Sequence, residues 1–346
     1  MRVKKEVICI LLMAMTMLLN ACSSDESGAQ TVTTGEEPVG KQVQLMTYAP
    51  YFTEKEAPRR APSGFTAYTP DKTTDMGIYM IKDGDLSYKE ERLRYASKWF
   101  AFFEAEAQKN YTVYGYMPKI TGMSSSLSSV TSDGATLTIN GIKPVTADDI
   151  CIITGVKETD TGLKEGQFGW RMENANDNFY MYLLMDHLYA SVKFSLIVSE
   201  EYAQLRTIKL KTMTLSVNKA SVNAAVTLHN TEGTSPITSV TYNTSTGDNC
   251  AAEIFNNAEG QALSSTTPIA VSACFAPTLS DSLTLFSTYD VYDSKGNLIR
   301  ANCEATNKIP NLEASRGQRV QLNMKVDPTY LYVMSDKDLD NLFTIE

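Results

Sequence analysis

Apolar and polar residues alternate along many short segments of the chain, and polar turn residues separate these segments. A period of two residues is typical of a β-strand that buries one face and exposes the other. The alternation is strictest from Val320 to Val326, and Asp133-Gly134 and Asn140-Gly141 favour hairpin turns because both residue types tolerate positive φ. The predicted strands are Val43 to Phe52, Met76 to Ile81, Tyr111 to Met117, Ala135 to Ile139, Phe179 to Met185, Ser191 to Val198, Thr207 to Val217, Ala224 to Leu228, Ser239 to Tyr242, Ile269 to Phe275, Leu283 to Val291, Asn297 to Arg300 and Gln318 to Val326. Short strands at this spacing indicate an all-β fold built of β-sandwiches.

One segment carries two competing patterns. Apolar residues at helical spacing predict an amphipathic helix, and they are Leu93, Ala96, Phe100, Phe103 and Ala107. The alternative is a hairpin in which a strand from Trp99 to Ala107 turns at Lys109-Asn110 into the strand from Tyr111 to Met117.

The first 22 residues have the pattern of an export signal. Three cations, Arg2, Lys4 and Lys5, precede an apolar run of 13 residues from Val7 to Leu19. A membrane-spanning helix needs about 20 apolar residues, so this run is too short for a permanent span. The sequence Leu19-Asn20-Ala21-Cys22 matches a lipobox, which predicts a signal peptide over residues 1–21 and lipidation of Cys22.

Residues 22–60 are predicted to form a tether followed by a first strand, Val43 to Phe52. The acidic start of the tether, Ser23-Ser24-Asp25-Glu26, resembles a signal that sends some lipoproteins to the outer face of the outer membrane. Prolines interrupt regular structure on both sides of Arg59 and Arg60, so we expect these two arginines to be exposed.

Composition narrows the choice of partner. The chain has 346 residues, 43% of them apolar, which is enough for sizeable cores. Its net charge of −9 argues against nucleic acid or an anionic membrane surface as the main partner. Since no second apolar segment is long enough to span a bilayer, the lipid on Cys22 is predicted to be the only anchor.

Four further cysteines, Cys151, Cys250, Cys274 and Cys303, are too widely spaced for the usual zinc motifs, and no metal site is predicted. Cys151 lies in an apolar run and is interpreted as core filler. Two of the last three can pair in an exported protein, and buried free thiols are the alternative.

No catalytic constellation is evident, so neither catalytic residues nor a cofactor are predicted. His187 and His229 are the only histidines, no GxSxG motif occurs, and His187 is interpreted as a packed or hydrogen-bonded strand residue. Asp148-Asp149 is interpreted as a polar turn. Asp336 to Asn341 resembles a calcium loop but lacks its glycine, which favours a solvated turn. The two carboxylates of a glycosidase need not be close in sequence, so that class stays open.

Several segments together resemble the fimbrillin-like family, the subunits of type V pili in Gram-negative anaerobes. Besides the lipobox, these segments are Glu56 to Ala61 with its arginine pair, Tyr111 to Pro118, Met185 to Phe194 and Asp327 to Asp336. Tyr111 to Pro118 is similar to an aromatic strand of the first domain of this family, which favours the hairpin over the helix.

The resemblance implies two tandem transthyretin-like β-sandwiches, here expected over residues 61–214 and 215–326. It also implies transport to the cell outer membrane as a lipoprotein, and cleavage by an arginine-specific protease after Arg59 or Arg60. Loss of the first strand would open a groove that a C-terminal strand of another pilus subunit fills. Residues 327–346 would be the donated strand, and the assembled pilus, or fimbria, would serve adhesion.

Three alternatives remain open. Within the family, stalk subunits accept a strand and donate one, tip subunits accept a strand but need not donate one, and anchor subunits keep their lipid. The arginine pair argues against an anchor. The tail can also pack on its own second domain. Finally, the 18 tyrosines permit a monomeric surface lipoprotein that binds glycans.

Overall fold

The computed structural model describes residues 41–55, 65–67, 75–91, 93–95, 98–174, 179–247, 249–277, 283–309 and 312–326. Within these residues the regular structure is β-strand apart from one four-residue helix, α1 (Glu200–Ala203). The predicted all-β fold is therefore confirmed. The predicted signal peptide and the C-terminal tail 327–346 lie outside the described residues.

In the largest sheet, sheet I, β1 is an inner strand, third from one edge. Its continuous order is β5-β4-β8-β12-β14-β1-β7-β6, while β13 pairs with β8 and β3 pairs with β1. The strands are β1 (Lys41–Pro50), β3 (Phe65–Ala67), β4 (Asp75–Lys82), β5 (Asp85–Glu91), β6 (Leu93–Tyr95), β7 (Trp99–Phe103), β8 (Asn110–Lys119), β12 (Cys151–Lys157), β13 (Gly169–Arg171) and β14 (Phe179–His187).

Sheet II packs against sheet I and has the order β18-β17-β10-β9. Its strands are β9 (Ser124–Thr131), β10 (Gly134–Ile142), β17 (Val222–His229) and β18 (Ile237–Thr244). Side-chain hydrogen bonds join the sheets: the hydroxyls of Tyr79 and Ser125 lie 2.7 Å apart, and the Tyr114 hydroxyl donates to Asn230 Oδ1, just after β17, at 2.8 Å. Buried alternate residues such as Leu137 fill the space between the sheets.

Sheets III and IV form the other part of the fold. Sheet III has the order β11-β20-β15-β23-β2, with β2 (Thr53–Glu54), β11 (Val145–Thr146), β15 (Ala190–Val198), β20 (Ile269–Phe275) and β23 (Gln318–Val326). Sheet IV has the order β19-β16-β21-β22, with β16 (Arg206–Val217), β19 (Cys250–Ala262), β21 (Leu283–Asp293) and β22 (Leu298–Ile309). β19 contacts β11 and β20, which brings the two sheets together.

Strand pairing crosses the boundary that the sequence analysis placed between residues 214 and 215. β17 and β18 follow this boundary, yet they extend the sheet of β9 and β10, which precede it. Conversely, β11 precedes the boundary and pairs with β20. The chain thus returns to sheet II after it has entered sheet IV, and the division into tandem domains stays a prediction.

The segment with competing patterns is extended, so the helix alternative is wrong. β7 and β8 lie close to where the two hairpin strands were predicted, but they are not paired with each other. β7 pairs with β1 and β6, whereas β8 pairs with β4, β12 and β13. The hairpin is therefore wrong as a pairing, because β1, β14 and β12 lie between its two strands.

All four cysteines of the described chain, at positions 151, 250, 274 and 303, are free thiols. Of the two alternatives from the sequence, the structure therefore has the unpaired one. No helix in the described part of the chain has the length and apolar character needed to cross a membrane.

Two glycines of sheet I give a matched pair for testing how closely its strands are packed. A Cβ atom on Gly155 of β12 would lie 2.3 Å from the Lys164 carbonyl oxygen, whereas one on Gly169 of β13 would have no neighbour within 4 Å. We expect Gly155→Ala to lower the free energy of unfolding by about 1–3 kcal/mol, because backbone must shift. Gly169→Ala should change it by less than about 0.5 kcal/mol. Urea denaturation of both variants measures this, and equal effects would contradict the described packing.

Candidate functional site

The first described strand, β1, is hydrogen-bonded on both sides. It runs parallel to β14, with Val43 opposite Phe179 and Tyr48 opposite Leu184. Its other side pairs antiparallel with β7 near its start and with β3 near its end. Removing β1 would therefore separate β7 and β6 from the rest of sheet I, and would leave backbone N–H and C=O groups unpaired on two neighbouring strands.

The inward face of β1 is fully buried. Val43, Leu45, Thr47 and Ala49 are 0%, 2%, 6% and 3% exposed, and they alternate with less buried residues as a half-buried strand requires. Burying a side chain the size of valine or leucine contributes about 1.5–3 kcal/mol. Backbone hydrogen bonds to its neighbouring strands and burial of its apolar side chains therefore both hold β1 in the sheet. Removing β1 would leave a groove lined by exposed apolar core residues.

Directly after β1 the chain crosses from sheet I to sheet III. The backbone N–H of Thr53 donates to the Gly317 carbonyl at 2.8 Å, and that of Lys55 donates to the Arg319 carbonyl at 2.9 Å. These bonds place β2 beside the start of β23, with the two strands parallel. The first 15 described residues, 41–55, thus join both halves of the fold.

His187 holds the chain at the crossing between β1 and β2. Its Nε2 atom donates to the Pro50 carbonyl oxygen at 2.9 Å. The Phe52 ring stacks on the imidazole, with centroids 3.8 Å apart and planes 18° from parallel. The Arg319 guanidinium carbon lies 5.1 Å from the centroid of the same phenylalanine ring, within the usual cation–π range.

Charged groups surround this contact. Asp149 Oδ2 lies 2.6 Å from His187 Nδ1, so the imidazole is held from both of its nitrogens. Arg316 Nη1 donates to Asp186 Oδ2 at 2.6 Å and to the His187 carbonyl oxygen at 2.9 Å. We call Phe52, Asp149, His187 and Arg316 the junction cluster, since they fix the chain where it passes between the sheets.

Cys151 adjoins the junction cluster but is not arranged as an activated nucleophile. Its Sγ atom lies 3.0 Å from Asp149 Oδ2 and 4.0 Å from His187 Nδ1, so the thiol and the carboxylate approach the same ring nitrogen. In a catalytic triad these two groups occupy opposite nitrogens of the histidine. Burial, reinforced by the charge of Asp149, raises the pKa of the Cys151 thiol well above its usual range, which keeps it protonated.

The residues predicted as sites lie outside the described part of the chain. These are Cys22, the predicted lipidation site, and Arg59 and Arg60, the predicted cleavage sites. The structure does describe both flanks of the arginines: Lys55 is held on β23, and Phe65 begins β3 beside the end of β1.

Sequence reasoning missed the junction cluster. The sequence predicts a polar turn at Asp149 and a packed or hydrogen-bonded strand residue at His187, and the structure confirms the latter. Nothing in the sequence singles out Arg316 or brings these residues together. Asp149 and His187 are 38 positions apart and meet only because β12 and β14 are neighbours. The one available signal was an imidazole flanked by apolar strand residues, since a buried histidine needs partners for its ring nitrogens.

No family model matches the chain, and no curated protein matches it in sequence. The solved structures that it resembles include several proteins from Bacteroides. A candidate cell adhesion protein of Bacteroides fragilis is 11% identical with a TM-score of 0.41, and the match covers 84% of this chain and 94% of that one. A fimbrial protein of Bacteroides vulgatus is 12% identical with a TM-score of 0.38, covering 82% and 95%. A candidate cell adhesion protein of Bacteroides ovatus is 12% identical with a TM-score of 0.37, covering 84% and 94%.

The two histidines of the chain test the junction cluster. His187→Ala should lower the free energy of unfolding by about 2–4 kcal/mol, because it removes the hydrogen bonds of the imidazole to Asp149 and to the Pro50 carbonyl. His229→Ala is the control, since that side chain is exposed, and should change it by less than about 0.5 kcal/mol.

Hydrogen exchange of the same variants shows where the effect acts. In His187→Ala the amides of β1 and β2 should lose more protection than those of β16 in sheet IV, since the first strand has lost its fixed end. Uniform loss across both sheets, or equal unfolding free energies for the two variants, would show that His187 does not hold the first strand.

Proposed function

We propose that this chain is a structural subunit of a cell-surface type V pilus that assembles by exchange of its first strand. The position of β1 carries the proposal. It is a buried inner strand of sheet I, and the covalent connection to the strands that follow runs through residues 56–64, which contain Arg59 and Arg60. Cleavage after either arginine would leave β1 and β2 attached by noncovalent contacts alone.

Cleavage changes the competition between rebinding of the subunit's own β1 and binding of a strand from another subunit. A tethered strand rebinds at a high effective concentration, of the order of millimolar for a short linker, and this advantage ends when the linker is cut. The groove left by β1 would need a strand with alternating apolar residues, because it would expose unpaired backbone and core. A strand donated by a neighbouring subunit meets both requirements.

The C-terminal tail is the proposed donor. It continues from β23 and contains the apolar runs Tyr330 to Met334 and Leu342 to Ile345. Acceptor groove and donor tail would then be different surfaces of one subunit, so contacts between subunits are head-to-tail and extend into a filament. A subunit with both features is a stalk subunit.

We further propose the following route. The chain is exported as a lipoprotein and held on the cell outer membrane by lipid on Cys22. An arginine-specific protease then releases residues up to Arg59 or Arg60, and the processed subunit joins other subunits in a fimbria that serves adhesion. In this role the protein is not an enzyme and requires no cofactor.

The glycan-binding alternative receives less support. It requires a row of exposed aromatic rings, whereas Tyr51, at 51%, is the one strongly exposed aromatic side chain among residues whose exposure is described. Tyr180 and Tyr182 form a stacked pair on the outer face of sheet I, with centroids 6.3 Å apart, but both are half-buried.

Substituting both arginines tests the proposal in the cells that make the protein. Arg59→Ala with Arg60→Ala should yield a subunit that keeps its acylated Cys22 and forms no high-mass ladder on gels, because the first strand stays tethered. Arg206→Ala is the control, because Arg206 lies on β16 of sheet IV and its side chain donates to the Leu205 carbonyl at 2.9 Å. This control should be processed and assembled like the unaltered chain.

N-terminal sequencing of the unaltered protein completes the test. A start at Arg60 or Ala61 in high-mass material supports the proposal. Acylated Cys22 on a monomer, or ladders of undiminished amount from the doubly substituted chain, would contradict it.

A further inference from the structure

Three potential metal ligands converge beside the end of β1. Asp149 Oδ2, Cys151 Sγ and His187 Nδ1 all lie within 4.8 Å of one another. The pairwise distances are 2.6 Å from oxygen to nitrogen, 3.0 Å from oxygen to sulfur and 4.0 Å from nitrogen to sulfur. Cys151 and His187 are directly opposite each other on β12 and β14, so the backbone holds two of the three ligands in place.

The second ring nitrogen of His187 fixes which nitrogen faces the other ligands. Nε2 lies 2.9 Å from the Pro50 carbonyl, which can only accept, so Nε2 carries a proton. Nδ1 then points at the Asp149 carboxylate, and a lone pair facing a carboxylate oxygen at 2.6 Å requires a cation between them. A proton or a metal ion can supply it. Histidines that bind metals commonly donate their other N–H to a backbone carbonyl in this way.

We propose that Asp149, Cys151 and His187 form a binding site for a divalent transition-metal ion of the zinc class. Sulfur, nitrogen and oxygen donors in one site suit Zn²⁺, whose tetrahedral ligand atoms lie about 3.3–3.6 Å apart. The observed separations of 2.6 to 4.0 Å bracket this range. Coordination by all three atoms requires side-chain rotations that move the oxygen and nitrogen atoms apart and bring the sulfur and nitrogen atoms closer, and water would take the fourth position.

Charge balance favours such an ion at a site this buried. Binding requires the Cys151 thiol to lose its proton to solvent, and the proton held between Asp149 and His187 leaves as well. One thiolate and one carboxylate then neutralise the two positive charges of the ion. The Asp186 carboxylate lies close by, but it is already paired with Arg316 at 2.6 Å and leaves this balance unchanged.

The ion would strengthen the hold on the first strand. It would join β12 to β14 and fix the imidazole that donates to the Pro50 carbonyl. This metal site goes beyond the proposed function and does not depend on it. Metal binding is measured on the uncleaved monomer, so it can fail even if strand exchange occurs.

Cobalt titration of the chelator-treated, untagged full chain tests the site, since Co²⁺ replaces Zn²⁺ and reports its ligands by absorption. We expect one Co²⁺ per chain, with a thiolate charge-transfer band and the intense visible bands of a tetrahedral ion, all displaced by Zn²⁺. Asp149→Asn, which keeps the side-chain shape, should weaken Co²⁺ binding at least about tenfold.

Cys151→Ser should abolish the thiolate band, while Cys303→Ser, which alters a half-buried thiol of sheet IV, should retain it. Loss of the band in folded His187→Gln would complete the ligand set. If the unaltered chain shows no thiolate band, the proposal is overturned, whether or not the variants fold. The cation between Asp149 and His187 would then be a proton. A band that persists in Cys151→Ser would also overturn the proposal.

Discussion

The architecture depends on one stretch of chain, β1 followed by β2, because it completes sheet I and then joins sheet III. Its pairing with both β14 and β7 closes sheet I, and its buried residues complete the core beneath. Three residues past Pro50 the same stretch pairs with β23. The junction cluster stabilises the crossing by hydrogen bonds, ring stacking and ion pairs that all end on His187 or its neighbours. Loss of a strand so placed would expose unpaired backbone and apolar core, which is why we propose that its exchange drives assembly.

The sequence predicted the strands well and their pairing poorly. Alternation located β15, β16 and β23 within a few residues, because burial of one face imposes a period of two wherever a strand lies in a sheet. Pairing depends on long-range contacts that leave no local pattern. The hairpin between β7 and β8 failed for this reason. In the same way, β17 pairs with β10 and β18 and not with β16, which it follows along the chain. Strict alternation also does not guarantee full burial. In β23 the alternation is strict, yet Leu322 and Met324 are only half-buried in the described structure.

The candidate site was half visible in the sequence. A first strand followed by an arginine pair is a local pattern in the sequence, and the role of the arginine pair stays a prediction. Asp149, Cys151 and His187 each had an ordinary interpretation on its own, and what matters is their separation of 2.6 to 4.0 Å across two neighbouring strands. The spacing of the cysteines predicts no zinc site, because the usual spacing rules describe ligands close together in loops and helices. Ligands brought together by strand pairing have no fixed spacing.

A cross-strand disulfide that locks β1 in place tests the central claim most directly, since it separates cleavage from departure of the strand. Gln44 and Phe100 are facing residues on β1 and β7, both half-buried, and facing antiparallel pairs have Cα separations of about 4.5–5.5 Å, which a disulfide can span. With both replaced by cysteine and oxidised, we expect subunits that are cut after Arg59 or Arg60 yet stay monomeric, and that assemble once reductant is added. Locked subunits that assemble to the same extent as those with Gln44→Cys alone would contradict the account.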